Sequence, residues 1–245
     1  MTALGHAWEA QQLSPATIQN RISIFRTFAE WIGKRGMIRD AIHYVKDPVS
    51  VTRQFVAKTD KTWSAQQKNL SDKLSDLYQH DPYVAIQLEL QRAFGLRMKE
   101  AALLKPHQAD RSNYLAVNWG TKGGRERVVP IETAYQKEVL ARAKAFAKPD
   151  YSLTPKRYSF SQWRDHYYYI CQEHGISRKN GITSHGLRHE RLNEIYTQIT
   201  GHLSPVKGGN TNLSESQKIV DKIARQEVAE VAGHSRSSIA KAYCG

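Results

Sequence analysis

The sequence predicts a mainly α-helical protein with one small antiparallel β-hairpin. It divides into a short helical domain over residues 1–62 and a larger mixed α+β domain over residues 63–245. Three observations lead there. Apolar residues recur at helical spacing along most of the chain, beginning with Ile18, Ile22, Phe25, Phe28 and Ile32. Only YLAVNWG and ERVVPI have β character, and the TKGGR between them supplies a Gly-Gly turn. Residues 44–64 contain Pro48 and a polar Thr-Asp-Lys-Thr break, which sets the domain boundary near residue 62.

In chain order, Ser14 caps the first clear helix and Pro15 suits its first turn, while Gly33 and Gly36 stop it. Arg21, Arg26, Lys34 and Arg35 lie around its apolar stripe, either tracking a DNA backbone or forming an ordinary solvated back. Helical pattern resumes after Ser64 and restarts at Asp81-Pro82, again a cap followed by proline. Val84, Leu88 and Phe94 point this helix inward, and Gly95 closes it. Arg97 and Glu100 follow near the start of another helix, which Leu96, Ala101, Leu103 and Leu104 anchor. Lys122 and Arg125 fall in or beside the hairpin turn, where Lys122 is either a solvated charge or a group able to swing toward a substrate.

A helix over residues 132–147 precedes a basic, aromatic segment. There Phe160, Trp163, Tyr167 and Ile170 make either a core stripe or a surface on which bases stack, and Lys156, Arg157 and Arg164, left outside, join Arg125 as candidate DNA contacts. Thr183 or Ser184 caps a helix on which His185 and Arg188, three apart, share a face. His185 and His189 have the spacing of a metal pair, but no third ligand and no HExxH motif accompany them, so no metal is expected. Residues 200–214 read as a loop, and Ser214 with Gln217 forms a capping box for a last long helix that Gly233 ends.

Lys and Arg number 36 against 23 Asp and Glu, a formal charge of +13. Such a surplus suits a polyanionic partner, the alternative being a basic surface without function. Two cysteines are too few for a disulfide framework and point to a reducing compartment. No signal-peptide pattern opens the chain, and no run approaches the roughly 18 apolar residues of a membrane span. These features lead to the expectation of a cytoplasmic protein.

Taken together, Gly95-Leu96-Arg97 with Glu100, Lys122, the His185–His189 run HGLRH, Gly233-His234 and Tyr243 resemble the tyrosine recombinase, or phage integrase, family. The tyrosine follows the histidine by 243 − 234 = 9 residues, and the ordered set spans residues 95–243. A second Gly-His pair, Gly201-His202, is excluded because Thr211 stands nine residues further on. The resemblance implies a two-domain tyrosine recombinase fold, with a helical core-binding domain over 1–62 and a catalytic domain over 63–245 clamping duplex DNA. The first domain resembles the family only in being basic, helical and in the expected place.

By the same resemblance, Arg97 and Arg188 neutralise a phosphodiester with guanidinium forks and Tyr243 attacks it. His185 is the candidate base, His234 a hydrogen-bond donor to the phosphate, Lys122 the general acid for the leaving 5′-oxygen, and Glu100 an orienting group. The implied product is a 3′-phosphotyrosyl DNA formed without cofactor, metal or ATP. A homotetramer on two DNA sites, helped by accessory DNA-bending proteins, would then serve integration or excision of a mobile element, with a nucleoid-associated location of prokaryotic or phage origin. A non-catalytic DNA-binding relative and a type IB topoisomerase-like relaxing enzyme are the alternative functions.

Two departures accompany the resemblance. The span from Arg188 to His234 is long, its excess falling in 200–214, either as an inert insertion or as a contact between protomers. Two residues follow Tyr243, which suggests a truncated chain or an assembly built on other contacts, and a terminal segment that is mobile without DNA.

Overall fold

The computed structural model describes all 245 residues and contains two compact units, Met1–Phe55 and Val56–Gly245. The break falls seven residues before the expected boundary at 62 (62 − 55 = 7). The reason is local packing: the Trp63 indole N–H donates to the Thr183 carbonyl at 2.8 Å, and the Lys61 carbonyl lies against Gly186. Residues 56–62 therefore run along the larger unit.

In the first unit, α1 (Thr2–Ala10) and α2 (Pro15–Trp31) enclose a small core of Trp8, Ile18, Ile22, Ala29, Ile38, Ala41 and Val51. Ser14 caps α2 by accepting from the Thr17 N–H. The predicted stripe is only half buried, since Phe25, Phe28 and Ile32 are exposed beside Trp31, itself 80% exposed. A unit of this size lacks a second layer to cover the far end of α2.

In the second unit, α3 (Ser71–His80) leads to α4 (Pro82–Phe94), which is capped by Asp81 and closed by Gly95 in the left-handed conformation. Helix α4 is buried on nearly every side because it separates two cores. Ile86, Leu90 and Phe94 face one cluster; Val84, Ala85 and Leu88 face the other, with Trp63, Trp163 and Tyr167. Its buried amides are paired, Gln87 with the Leu153 carbonyl and Trp163 indole, Gln91 with the Tyr167 hydroxyl.

After α5 (Met98–Leu103) and α6 (Pro106–Ala109), strand β1 (Tyr114–Val117) pairs antiparallel with β2 (Arg127–Pro130), Val117 opposite Arg127. The strands are shorter than the sequence runs suggest, and a tight turn at Lys122–Gly124, with Gly123 and Gly124 both at a φ of +72°, occupies the connection. Helices α7 (Ala134–Phe146), α8 (Phe160–Glu173), α9 (Ser184–Thr200) and α10 (Glu215–Val231) follow, with capping boxes at Thr133, Ser159 and Ser214. The short α11 (Lys241–Cys244) carries Tyr243 against α9. No helix is long and apolar enough to cross a membrane.

Candidate active site

Four separated stretches of the second unit converge: the α4–α5 junction, β2, the first turn of α9, and the α10–α11 region. Arg97 stands at the N-cap of α5, where its backbone N–H donates to the Glu100 carboxylate at 2.7 Å. Its guanidinium donates to Glu100 at 2.6 Å and to the Ala232 carbonyl at 2.9 Å. Arg188, with no exposed surface, donates to the same Ala232 carbonyl at 2.6 Å and to the Gly95 carbonyl. A single carbonyl at the end of α10 thus sets the spacing of two guanidinium groups whose own helices never meet in sequence.

The third arginine of this cluster, Arg127 on β2, escaped the sequence reading. It grips both oxygens of Glu100 at 2.8 Å and donates through Nε to the Val231 carbonyl at 2.7 Å. An arginine in a short strand reads as an outward-facing charge. Only the pairing of β2 beside α10 turns it inward. Burial acts to raise the Glu100 pKa, but the Arg127 hydrogen bonds and charge, followed by those of Arg97, outweigh it and hold the carboxyl at about 2. Glu100 orients two arginines and touches no histidine hydrogen-bonding atom. Gly233 is confined by the same cluster. Its φ of +72° is left-handed, and a Cβ there would meet Arg127 Nη1 at 3.1 Å and Arg97 Nη1 at 3.4 Å.

Tyr243 is 7% exposed, and its hydroxyl accepts from Arg188 Nη2 at 3.2 Å and Nε at 3.4 Å. In this conformation the side chain is seated against α9. Its oxygen also lies 3.5 Å from His234 Nε2, which Arg97 Nη2 approaches at 3.3 Å. Because a guanidinium only donates, His234 Nε2 must be the acceptor in this arrangement, with the ring proton on Nδ1. His185 is not hydrogen-bonded to the phenol; the two rings stand 6.4 Å apart, while His189 packs closer at 4.9 Å. Desolvation, then the charges of Arg188, Arg97 and Lys61, push His185 down to about 4. Desolvation, then Arg97 and Arg188, bring His234 to about 4 as well. Burial, then His185, pushes His189 to about 3. All three imidazoles are neutral at pH 7.

With neutral imidazoles, Arg97, Arg127 and Arg188 against Glu100 leave a net charge of 3 − 1 = +2 around one phenol. Lys122 is exposed on its turn, with Gly123 and Gly124 beside it, and its charge reaches His234. The site is thus a cluster of net positive charge with a phenol hydroxyl bonded to one of its guanidinium groups. No group of three His, Cys, Asp or Glu side chains is arranged to hold a metal.

The family description Integrase matches residues 53–193, 141 of 245 positions. The chain belongs to the integrase family. Its fold is that of tyrosine recombinases, and two solved structures show the likeness. A lambda integrase dimer bound to a COC′ core site matches with a TM-score of 0.55 at 15% identity, over 94% of this chain and 57% of that one. The Tn1549 transposon integrase in complex with circular intermediate DNA matches with a TM-score of 0.53 at 13% identity, over 100% of this chain and 79% of that one. This integrase-family chain therefore spans little more than half the length of the lambda chain. No curated protein matches it.

The basic residues singled out as DNA contacts fall into two groups. Arg21, Lys34, Arg35, Arg125, Lys156 and Arg157 are exposed, with Lys156 over the Tyr151 ring and Arg157 over Tyr158. Arg26 is instead committed to its own unit, donating to Asp40 at 2.8 Å and to the Arg39 carbonyl at 3.1 Å. Arg164 is exposed but paired with Asp165 at 2.8 Å. Within α8, Trp163, Tyr167 and Ile170 are buried as the spacing predicts, whereas Tyr168 and Tyr169 face solvent.

Proposed function

We propose that this protein is a site-specific DNA recombinase that cleaves and rejoins strands through a covalent 3′-phosphotyrosine at Tyr243. One observation carries the reading: the Tyr243 hydroxyl accepts hydrogen bonds from the buried guanidinium of Arg188 and lies 3.5 Å from His234 Nε2, which Arg97 also approaches. With a phosphodiester bound here, the two guanidinium groups would exchange the Ala232 carbonyl and solvent for phosphate oxygens. Arg188 then keeps its positive charge beside the oxygen that attacks and the phosphate that gains negative charge, which is where preorganised charge accelerates a reaction most.

The phenol oxygen forms the new bond to phosphorus, and the bond to the 5′-oxygen breaks. The phenolic proton goes to a neutral imidazole, and Lys122 returns one to the departing 5′-oxygen. His185 is the base in this scheme. Its ring is neutral at pH 7, and a bound phosphate anion, by offsetting the arginine charges, raises its basicity. A second division of labour has an observation in its favour, since the nearest imidazole acceptor to the hydroxyl is His234 Nε2 at 3.5 Å. The test is whether the acidic limb of the pH–rate profile disappears in His185→Ala or in His234→Ala.

The net charge of +13 and the DNA-bound states of the lambda and Tn1549 relatives support duplex DNA as the partner. Strand exchange further requires a tetramer on two sites, in the service of a mobile element. Incubation with nicked duplex carrying the cognate site, in EDTA, should yield an SDS-resistant protein–DNA adduct that Tyr243→Phe abolishes. An adduct that survives in Tyr243→Phe refutes the nucleophile. Binding without any adduct favours a non-catalytic DNA-binding protein, and relaxation of a site-free plasmid without joined products favours a topoisomerase-like enzyme.

A further inference from the structure

The loop at 200–214 folds back onto the element that carries Tyr243. Its first half is a tight turn in which the Ser204 carbonyl accepts from the N–H groups of Lys207 at 2.9 Å and Gly209 at 3.0 Å. A Cβ on Gly209 would fall 1.8 Å from the Leu203 carbonyl oxygen, so the turn admits no side chain there. From this turn two side chains reach into the fold. Ser204, fully buried, donates to Asn193 Oδ1 at 2.5 Å; Asn193 Nδ2 in turn donates to the backbone carbonyls of His189 at 2.8 Å and Tyr243 at 3.1 Å. Lys207 Nζ donates to Ser64 Oγ at 2.8 Å and Thr62 Oγ1 at 3.3 Å, with the Asp60 and Glu190 carboxylates 3.7 and 3.8 Å away.

Helix α11 needs such support. A four-residue helix cannot sustain itself, because nucleation costs more than one turn of hydrogen bonds returns. Its backbone is held from outside at three points. The Ala57 N–H donates to the Lys241 carbonyl at 2.8 Å, Asn193 to that of Tyr243, and Arg225 to that of Gly245 at 2.7 Å. Only the middle contact acts on the tyrosine itself, and its donor is oriented by Ser204.

We propose that Asn193, Ser204 and Lys207 are positioning residues: the turn at 203–209 is a strap that seats Tyr243 in the phosphate pocket of its own chain. The proposal rests on Tyr243 being the nucleophile. The buried serine wired to the backbone of the attacking residue gives this part of the loop a role within its own chain.

The test is single-turnover adduct formation on nicked duplex at saturating protein, with hydrogen exchange of amides 241–245 followed in parallel. Ser204→Ala and Lys207→Ala should form adduct about 10- to 100-fold more slowly than wild type, the scale of a misplaced reacting group. DNA affinity should be unchanged, amides 241–245 should exchange faster, and Ser204→Thr should recover most of the rate. Lys207 is at the solvent edge, so Lys207→Ala keeps the test available if Ser204→Ala fails to fold. Unchanged rate and exchange in Lys207→Ala overturn the strap. An absence of adduct in the wild type itself removes the nucleophile reading instead, and exchange at 241–245 then judges the strap alone.

Discussion

Replacing Glu100 with glutamine keeps its volume but removes the one negative charge that Arg97, Arg127 and Arg188 share. The carboxylate has no exposed surface and accepts four hydrogen bonds, all at 2.6–2.8 Å. Its pKa falls from 4.5 to about 2, a change of about 2.5 units. At 1.36 kcal/mol per unit, the ionised form contributes about 3 kcal/mol of stability at pH 7. The sign follows from the depressed pKa: the contribution is complete above about pH 4.5 and is lost as pH falls toward 2. Mutational experience with buried pairs, about 3–5 kcal/mol when one partner goes, gives a similar figure. Glu100→Gln should therefore lower the unfolding free energy in urea by about 3 kcal/mol at pH 7, out of a total on the order of 5–15. Near pH 3 the difference from wild type should shrink to about 1.5 kcal/mol. An unchanged urea midpoint at pH 7, or a difference that does not narrow with acid, would refute the claim that this charge holds the cluster together.

Arg188→Lys keeps the charge but cannot donate at once to Gly95, Ala232 and Tyr243, so adduct formation should slow by about 10² to 10³ while binding of site DNA persists; stopped single-turnover reactions measure this. Gly233→Ala forces a left-handed residue against Arg127 and Arg97 and should cost about 1–2 kcal/mol in thermal or urea unfolding. His189 is buried and pushed down to about 3, so the unfolded chain binds a proton that the folded one refuses. Stability should fall as pH drops below about 6.5, by about 2 kcal/mol at pH 5, and His189→Gln should flatten that slope in urea titrations.

Much of the architecture was legible in the sequence because its signals are local. A serine, threonine or aspartate followed by a helical apolar pattern specifies a cap within a few residues, and Ser14, Asp81, Thr183 and Ser214 all cap as expected. The ordered motif residues from Arg97 to Tyr243 were likewise visible, and the nine-residue spacing singled out Gly233-His234, the Gly-His pair whose histidine the fold places beside the Tyr243 hydroxyl. The stripe on α2 shows the limit of periodicity. It names a helical face without saying whether anything covers it, and here Phe25, Phe28 and Ile32 remain in solvent.

What the sequence by itself determined is which residues are available: the helices, the hairpin, the basic surplus, and a list of arginines, histidines and one tyrosine. Which of them meet was decided only by tertiary structure. Arg127 joins Glu100 because β2 lies beside the end of α10, and Arg97 and Arg188 share the Ala232 carbonyl across long loops of chain. The loop at 200–214, silent as sequence, becomes a brace for Tyr243 through Ser204 and Asn193. The physical reason is the range of the interactions. Propensity and capping act over a few residues, whereas a hydrogen bond between positions 50 or 130 apart depends on helix packing and side-chain direction, which no short stretch encodes.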